Sequence, residues 1–352
     1  MPRQGALWYN WHESGLIRGF VKRHMNSLIR LAIAGVLLSG LFATDPVRLP
    51  TAAAAPVGAA CTWDQSSGAY ADRYVSSSDF EEQLNSFDAK AADDFEIGSG
   101  LVCDITTVTV VGQYDGPSQP SAPPSVRVGF YANAANNLPG VLLAQQVVLS
   151  PSISGLLTGV LGITLNTPVK LSTGRFWLSV QAVNPDWLTT SRQWVWREAS
   201  GASLSESAWQ QPGNGYFSNC LIWRPRVTSC RQPTNSLSTD LAFKVEGPTS
   251  SDNPVPVLIL LSPDARAPGS SGFTLQLDGA NFVAGSTVLW NSTTLTPTTN
   301  TGSTLTVNVP GSLLATSGVA IVKVHNPTPG GGDSNSLPFY LQGRLFVPLI
   351  HR

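Results

Sequence analysis

Histidine, the side chain that most often transfers protons in enzymes, is nearly absent from the part of the chain that is expected to fold. The four histidines are His12, His24, His325 and His351. The first two precede the expected mature chain and the last two follow residue 247. Residues 61–247 therefore contain no histidine. A Ser-His-Asp or Cys-His apparatus therefore cannot be built within that region, and a His-rich metal site is excluded there for the same reason.

Carboxylates are the second residue type that could do acid–base chemistry. Asp93 and Asp94 are adjacent, so a strand would point them to opposite faces, and by themselves they do not form a glycosidase pair. Asp186, Glu198 and Glu206 are further candidates, but their spacing favours no particular pair.

An acid-rich stretch, residues 61–104, contains ten Asp or Glu residues and two basic ones, Arg73 and Lys90. Such a stretch offers the oxygen ligands that a structural Ca²⁺ prefers, although no EF-hand spacing is present. A solvated acidic surface is the alternative interpretation.

Aromatic residues are the third feature. Trp194 and Trp196 are two positions apart and would share one face of a strand. Exposed rings would form a platform for the apolar faces of sugars, whereas buried rings would stabilise a core. The candidate ligand-binding residues are Trp187, Trp194, Trp196, Trp209 and Tyr216, and Trp187 has the most loop-like neighbours. Eight aromatic residues crowd into this part of the chain: Trp177, Trp187, Trp194, Trp196, Trp209, Tyr216, Phe217 and Trp223.

The composition favours β structure. Charged residues make up 12% of the 352 residues, about half the share in an average soluble domain. The chain has 32 Gly and 26 Pro, together with many Ser and Thr residues, which are typical of short strands joined by turns. The net charge of −1 provides no attraction for a polyanion, so nucleic acid is not an expected partner.

The N-terminus predicts export. Lys22, Arg23 and Arg30 precede an apolar run, residues 31–43, which has the length of a signal-peptide core and is short for a membrane span. Residues 1–60 are predicted to be a signal peptide and a small-residue linker, with Met25 as an alternative start. The competing interpretation of the apolar run is a buried helix. We expect no membrane span in the mature chain.

Four cysteines follow the signal: Cys61, Cys103, Cys220 and Cys230. An even number in an exported chain predicts two disulfides. Three pairings are possible, and the two local ones, Cys61–Cys103 and Cys220–Cys230, are favoured. A zinc site is the alternative, but no Cys-x-x-Cys occurs.

The chain divides by composition into two predicted β domains. In residues 61–247, strand-like runs at 107–111, 126–131 and 176–183 alternate with period two, which predicts one buried and one wetter face. We expect a β-sandwich, jelly-roll-like or immunoglobulin-like.

A polar segment follows, and residues 248–254 are predicted to be a linker that does not pack. Residues 255–342 are predicted to form a second, smaller sandwich, with strands at 273–277, 287–290, 304–309, 319–324 and 337–341. Residues 343–352 form an apolar, basic-ended tail, either a sorting or anchoring signal or a last strand.

The second region resembles the IPT/TIG family of immunoglobulin-like domains over nearly its whole length. Three motifs carry the resemblance: 261–263 (Leu-Ser-Pro), 279–282 (Gly-Ala-Asn-Phe) and 322–327 (Val-Lys-Val-His-Asn-Pro). Gly279 permits a turn, Asn281 can hydrogen-bond its own backbone there, and Phe282 can be buried beneath it.

This resemblance implies an immunoglobulin-like sandwich in either a transcription factor or a surface protein. The signal peptide favours the surface group, and residues 255–342 contain only Arg266 and Lys323 as fixed cations.

The first region resembles more weakly a β domain that recurs in secreted bacterial proteins. Residues 91–95, residues 194–196, and Trp223 between Cys220 and Cys230 carry this resemblance. No function transfers with it.

We therefore expect a secreted or cell-surface protein that is non-catalytic and structural or interacting. Its partner would be a protein or a polysaccharide at the cell surface. A carbohydrate-binding protein that uses the aromatic cluster is the first alternative, and a hydrolase with two carboxylates in a cleft of the first domain is the second.

Overall fold

The computed structural model describes residues 60–67, 73–114, 123–154, 159–184, 193–200, 204–232 and 238–342. These residues all belong to one compact unit, Ala54–Arg352. The predicted signal segment, Asp186, Trp187 and the tail 343–352 lie outside the described residues. Within the described ranges, no helix has the length and apolar character needed to cross a bilayer.

Regular structure among the described residues is nearly all β, as the composition predicted, with short 3₁₀ helices at Glu82–Phe87 and Gly311–Leu314. The strands are β1 (Ala60–Asp64), β2 (Tyr74–Ser76), β3 (Ser78–Phe80), β4 (Lys90–Tyr114), β5 (Ser125–Asn133), β6 (Pro139–Leu149), β7 (Ser152–Ser154), β8 (Val160–Asn184), β9 (Trp194–Arg197), β10 (Ala208–Gln210), β11 (Arg224–Pro225), β12 (Phe243–Pro248), β13 (Val257–Ser262), β14 (Ala265–Arg266), β15 (Phe273–Ala280), β16 (Thr287–Trp290), β17 (Thr293–Leu295), β18 (Pro297–Asn300), β19 (Thr304–Val309), β20 (Gly318–Asn326), β21 (Gly332–Asp333) and β22 (Leu337–Leu341).

Strands β1 to β12 form one twelve-stranded sheet, whose main path runs β1-β12-β4-β8-β5-β6. Strands β4 and β8 have 25 residues each and pair antiparallel from Ala92–Ser179 to Val111–Val160, with two shifts of register. The predicted strand runs 107–111, 126–131 and 176–183 lie inside β4, β5 and β8, so these predictions are confirmed.

The prediction that 176–183 has a wetter face is wrong, because β8 is buried on both faces there. Phe176, Leu178 and Val180 point into the main apolar cluster. On the other face, Ser179 Oγ donates to Ala91 O at 2.8 Å, and Gln181 Nε2 donates to Ala89 O at 3.0 Å. A segment around residues 77–91 covers this face, and its carbonyl groups satisfy the polar side chains.

Strands β13 to β22 form two further sheets, in the orders β13-β15-β19-β18 and β14-β22-β20-β16-β17, with β21 paired to β20. Burial alternates along β19, β20 and β22. One apolar cluster contains buried residues of both sheets, including Leu277, Val307, Val322 and Phe339. Each sheet therefore has one face in the core and one in solvent.

Gly279 does not form the predicted turn, because Gly279 and Ala280 are the last residues of β15 and pair with β13; the turn follows from Asn281. A Cβ on Gly279 would overlap the carbonyl oxygen of Val257, and Phe282 is 1% exposed. Asn281 has φ +61°. We expected its side chain to hydrogen-bond its own backbone, but this bond is not formed. Its Oδ1 accepts from Ser172 N in β8 at 3.2 Å, so this turn contacts the first sheet.

The segment predicted to be an unpacked linker is hydrogen-bonded on both sides. Ser250 N donates to Val102 O at 2.7 Å, and Asn253 N donates to Pro329 O at 2.8 Å. Pro254 is buried. The segment has few apolar side chains, but its backbone groups provide the contacts. The position of the domain boundary stays a prediction.

Two disulfides are formed, Cys61–Cys103 and Cys220–Cys230, with Cα–Cα distances of 5.9 and 5.8 Å. This is the pairing favoured from the sequence. The first joins β1 to β4, and the second closes a loop that contributes to the candidate site described below.

We expect Asn281→Gly to lower the free energy of unfolding by about 1–3 kcal/mol, because the buried Ser172 N–H loses its acceptor. Asn281→Ala should cost about 1 kcal/mol more, since alanine resists the positive φ and glycine does not. Urea unfolding of the purified protein measures both changes.

Asn291→Gly is the matched control, because Asn291 also has a positive φ but is exposed. Its side chain accepts from Ile321 N at 2.8 Å, and water can replace it there. This variant should change stability by no more than about 0.5 kcal/mol. If the alanine and glycine variants at residue 281 lose the same free energy of unfolding, the positive φ there has no cost for a residue with a side chain.

Candidate functional site

The tryptophans predicted as a ligand platform lie in the core. Trp194, Trp196 and Trp209 are 1%, 0% and 1% exposed, and Trp177 is also buried. These rings have no surface to offer a sugar, so the buried alternative is the one the structure supports for them. Trp187 lies outside the described residues.

Trp194 and Trp196 are buried because β9 is covered on both faces. Trp196 packs edge-on against Phe243 with ring centroids 6.1 Å apart, and its Nε1 donates to Ala242 O at 2.9 Å. Trp209 Nε1 likewise donates to Ser76 O at 2.9 Å. The indole N–H groups of Trp196 and Trp209 therefore have acceptors inside the protein, which removes the cost of burying them.

Tyr216, the fifth predicted residue, reaches the surface with 37% of its area exposed. Its ring packs edge-on against Phe87 at 5.4 Å, and its hydroxyl donates to Gln193 Oε1 at 2.9 Å. It belongs to the segment 211–232, which we call the 211–232 loop and which contains the short strand β11.

A cavity of about 330 Å³ opens beside Tyr216. Its lining is mostly aromatic and aliphatic, and no carboxylate, histidine or cysteine is among the described residues that line it. Such a cavity can hold an uncharged apolar or ring-shaped group, but it supplies no acid, base or nucleophile. The lining residues are Phe80, Leu84, Phe87, Gln193 and Tyr216.

The 211–232 loop is fixed against the 3₁₀ helix Glu82–Phe87. Gly215 N donates to Ser86 O at 2.7 Å, and a Cβ on Gly213 would overlap the backbone of Ser86. Only glycine permits this approach of two backbones. Inside the loop, Gln211 Oε1 accepts from Tyr216 N at 3.0 Å, and the Cys220–Cys230 disulfide closes its second half.

Three apolar side chains project from this loop. Phe217 is 84% exposed, Ile222 62% and Leu221 50%. Phe217 also has a φ of +54°, a conformation that a bulky residue rarely adopts. We call Phe217, Leu221 and Ile222 the loop tip. From the sequence, Phe217 was one aromatic of the cluster, whereas Leu221 and Ile222 were missed, and their signal is an apolar pair directly after Cys220.

The adjacent carboxylates Asp93 and Asp94 are both buried in β4. Asp93 accepts three hydrogen bonds, from Leu241 N at 2.6 Å, Gln65 Nε2 at 2.8 Å and Asp94 N at 2.9 Å. Burial raises the pKa of Asp93 well above its ordinary value, and the nearby Asp240 carboxylate raises it further.

Asp94 accepts from Ser205 N at 3.2 Å and lies 3.6 Å from Arg175 Nη1. Burial raises the pKa of Asp94 to about 6, against the opposing effect of these partners. Asp94 is 1% exposed, so its carboxylate is not accessible to a polymeric substrate in this conformation.

The other candidate acids are also held by the protein. Glu198 forms a fully buried ion pair with Arg226 at 2.8 Å. Glu206 accepts from Thr228 N at 2.8 Å and also from Val227 N. Asp186 lies outside the described residues. None of the described acids is brought to the cavity at Tyr216.

A partly accessible carboxyl pair, Asp79 and Asp88, was not predicted as a pair. Asp79 lies 2.8 Å from Arg127, and Asp88 Oδ1 accepts from Phe80 N at 2.8 Å. Burial raises the pKa of Asp88 to about 6, and the charge of Asp79 adds to this effect. Both groups have partners in the protein, as expected for a structural pair.

The described part of the acid-rich stretch does not form a calcium-binding site. Across the described ranges of the chain, no group of three or more His, Cys, Asp or Glu side chains could hold a metal ion. Asp72, one of the acids counted in that stretch, lies outside these ranges.

No protein-family model matches this chain, and no curated protein matches it.

We expect the protein to lose stability as the pH rises through about 6. The folded state binds the Asp94 proton more tightly than the unfolded chain, so the unfolding free energy falls between about pH 4 and pH 7. Asp88 and Asp93 act in the same direction. Asp94→Asn should make this fall shallower, as measured by urea unfolding at a series of pH values.

Asp64→Asn is the control. Burial raises the pKa of Asp64, but hydrogen bonds from Ser66 and the charge of Lys244 outweigh it, and the pKa is lowered. Asp64 therefore titrates below this window, and its variant should keep the wild-type slope. A slope unchanged by Asp94→Asn would show that Asp94 does not retain its proton in the folded state.

Proposed function

We propose that this chain is a secreted or cell-surface, non-catalytic interaction protein, and that the 211–232 loop is its contact surface. The observation that carries the proposal is a fixed loop with an exposed apolar tip. Exposed apolar groups cost free energy in water. Three such groups on a loop whose backbone is hydrogen-bonded to the rest of the protein are typical of an interaction surface.

The two disulfides support an oxidising compartment, since such bonds do not persist in a reducing cytoplasm. The proposed architecture is two β-sandwich domains behind a signal peptide, the second of the IPT/TIG type. Its motif residues Gly279 and Phe282 have structural roles, which is why they contribute to fold and not to recognition.

The proposed absence of catalysis rests on where the candidate groups lie. Asp93, Asp94 and Glu198 are buried and hydrogen-bonded, and His325, on β20, pairs with Asp333 at 2.7 Å. Acid–base catalysis needs a group within reach of a substrate, and the cavity at Tyr216 offers none from the described residues that line it.

We predict that Phe217→Ser/Ile222→Ser will be secreted with both disulfides formed but will no longer be retained at the cell surface. Serine removes the two most exposed apolar side chains of the tip without touching the core. Cell fractionation with thiol titration measures retention and disulfide state together.

Val319→Ser/Ile321→Ser is the matched control, because these residues are 50% and 43% exposed on β20, away from the loop. It should be retained like the wild type. Equal retention of the tip variant, or recovery of the wild type in the cytoplasm with free thiols, would count against the proposal.

Carbohydrate binding is the second candidate, and the cavity beside Tyr216 favours it. An aromatic wall with one amide, Gln193, and one phenol hydroxyl can contact the apolar face of a sugar and hydrogen-bond its rim. The buried tryptophans are not needed for this, since Tyr216 and Phe87 supply the rings.

We expect Tyr216→Ala to abolish binding in a panel of plant, bacterial and host glycans, and Tyr216→Phe to weaken it by the loss of one hydrogen bond. Intrinsic fluorescence and calorimetry measure the binding. Silence of the wild-type protein across the whole panel would remove this candidate.

A further inference from the structure

We propose that the loop tip docks onto an anionic lipid surface. This inference rests on the proposed function of the 211–232 loop and names its partner. The tip provides aliphatic and aromatic groups that can enter the headgroup boundary, and arginines beside it provide charge for lipid phosphates.

The chemistry of the tip suits hydrocarbon. Leu221 and Ile222 are adjacent, exposed and aliphatic, and Phe217 is the most exposed large apolar residue of the described chain. Aliphatic side chains offer little to the face of a sugar and cannot stack on a base, but acyl chains accept them readily. A tip of this composition therefore favours hydrocarbon over a polar ring.

The charge of the surrounding segment is positive. Residues 207–232 contain no acidic residue and three arginines. Arg226 is buried against Glu198, whereas Arg224 and Arg231 are exposed. Neither of these two has an ion pair with any residue that the structure describes.

The two exposed arginines lie beside the tip by covalent connection. Arg224 is two residues after Ile222, and Arg231 follows Cys230, which is bonded to the residue before Leu221. The nearby Glu206 carboxylate is hydrogen-bonded to the turn at Thr228. Two positive charges next to an apolar tip are complementary to an anionic interface.

The loop has its shape before it binds. The Cys220–Cys230 disulfide, the Gly215–Ser86 hydrogen bond and the Gln211–Tyr216 hydrogen bond hold it in one conformation. A preformed loop loses little conformational entropy on docking, so a few side chains can suffice.

A second copy of this chain fits the surface less well. A symmetric contact of tip with tip would bring the arginines of both copies together, and no acid from the same loop would separate them. An acidic protein or polymer is kept as an outcome of the test.

The test uses the full mature chain with two kinds of vesicle: phosphatidylcholine alone, and an equimolar mixture of phosphatidylcholine and phosphatidylglycerol. Co-sedimentation measures the bound fraction at low and high salt. We expect binding to the mixed vesicles that weakens at high salt, and weak or no binding to phosphatidylcholine alone.

Three variants separate the contributions. Phe217→Ser/Ile222→Ser should abolish vesicle binding. Arg224→Gln/Arg231→Gln should weaken it about fivefold for each arginine, the fold-change that corresponds to about 1 kcal/mol per basic residue at an anionic surface. Val319→Ser/Ile321→Ser should bind like the wild type. Unchanged thermal unfolding confirms that each variant is folded.

The outcomes are distinct. The lipid proposal is overturned if the wild type does not bind mixed vesicles, or if the tip variant binds them as well as the wild type does. Tip-dependent binding to soluble poly-glutamate without vesicle binding overturns it too and assigns the tip to an acidic polymer. If vesicles fail but cells still retain the protein through the tip, the proposed function stands and the lipid partner does not.

Discussion

The antiparallel pairing of β4 with β8 is the contact on which the first sheet depends. Both strands have 25 residues, and they pair along almost their whole lengths. Strand β12 pairs with β4, and β5 pairs with both β8 and β6, so the main path of the sheet is built outward from these two strands. The first disulfide adds a covalent constraint, because Cys103 lies in β4.

Because β8 is covered on both faces, this fold must bury polar and charged groups and satisfy them. Gln181 and Ser179 bond to carbonyl groups of the covering segment, Asp93 accepts three N–H groups, and Arg226 pairs with Glu198. Such groups are costly to bury, and each satisfied one favours a single arrangement of the strands around it. The described candidate acids of the first sheet therefore all have partners within the protein: Asp93, Asp94, Glu198 and Glu206.

The 211–232 loop combines buried charged and exposed apolar residues, because Arg226 is buried against Glu198 whereas the three residues of the loop tip are exposed. The backbone of its first part is anchored on the 3₁₀ helix Glu82–Phe87, and the three tip side chains remain exposed. In this loop the backbone fixes the position, and the exposed apolar side chains are the groups that can bind a partner. Exposed apolar side chains, exposed cations and a constrained backbone therefore occur together here.

The junction of the two strand regions shows how a turn motif can acquire a second role. Asn281 adopts the left-handed conformation that the turn needs, and its side chain accepts a hydrogen bond from Ser172 in β8. Ala280, beside it, packs into the apolar cluster of the first sheet. The turn therefore both ends β15 and joins the strand regions.

The sequence by itself determined the local features. The strands predicted at 287–290, 304–309 and 337–341 coincide with β16, β19 and β22, low charge and many turn residues predicted an all-β chain, and close cysteine spacing favoured the observed disulfides. These depend on neighbours along the chain. Only the tertiary structure decided that Trp194 and Trp196 are buried, that Asn281 reaches Ser172, 109 residues away, and that Leu221 and Ile222 point outward. Burial depends on which distant strand covers a face, and a sequence pattern predicts the period of a strand but not the segment that packs on it.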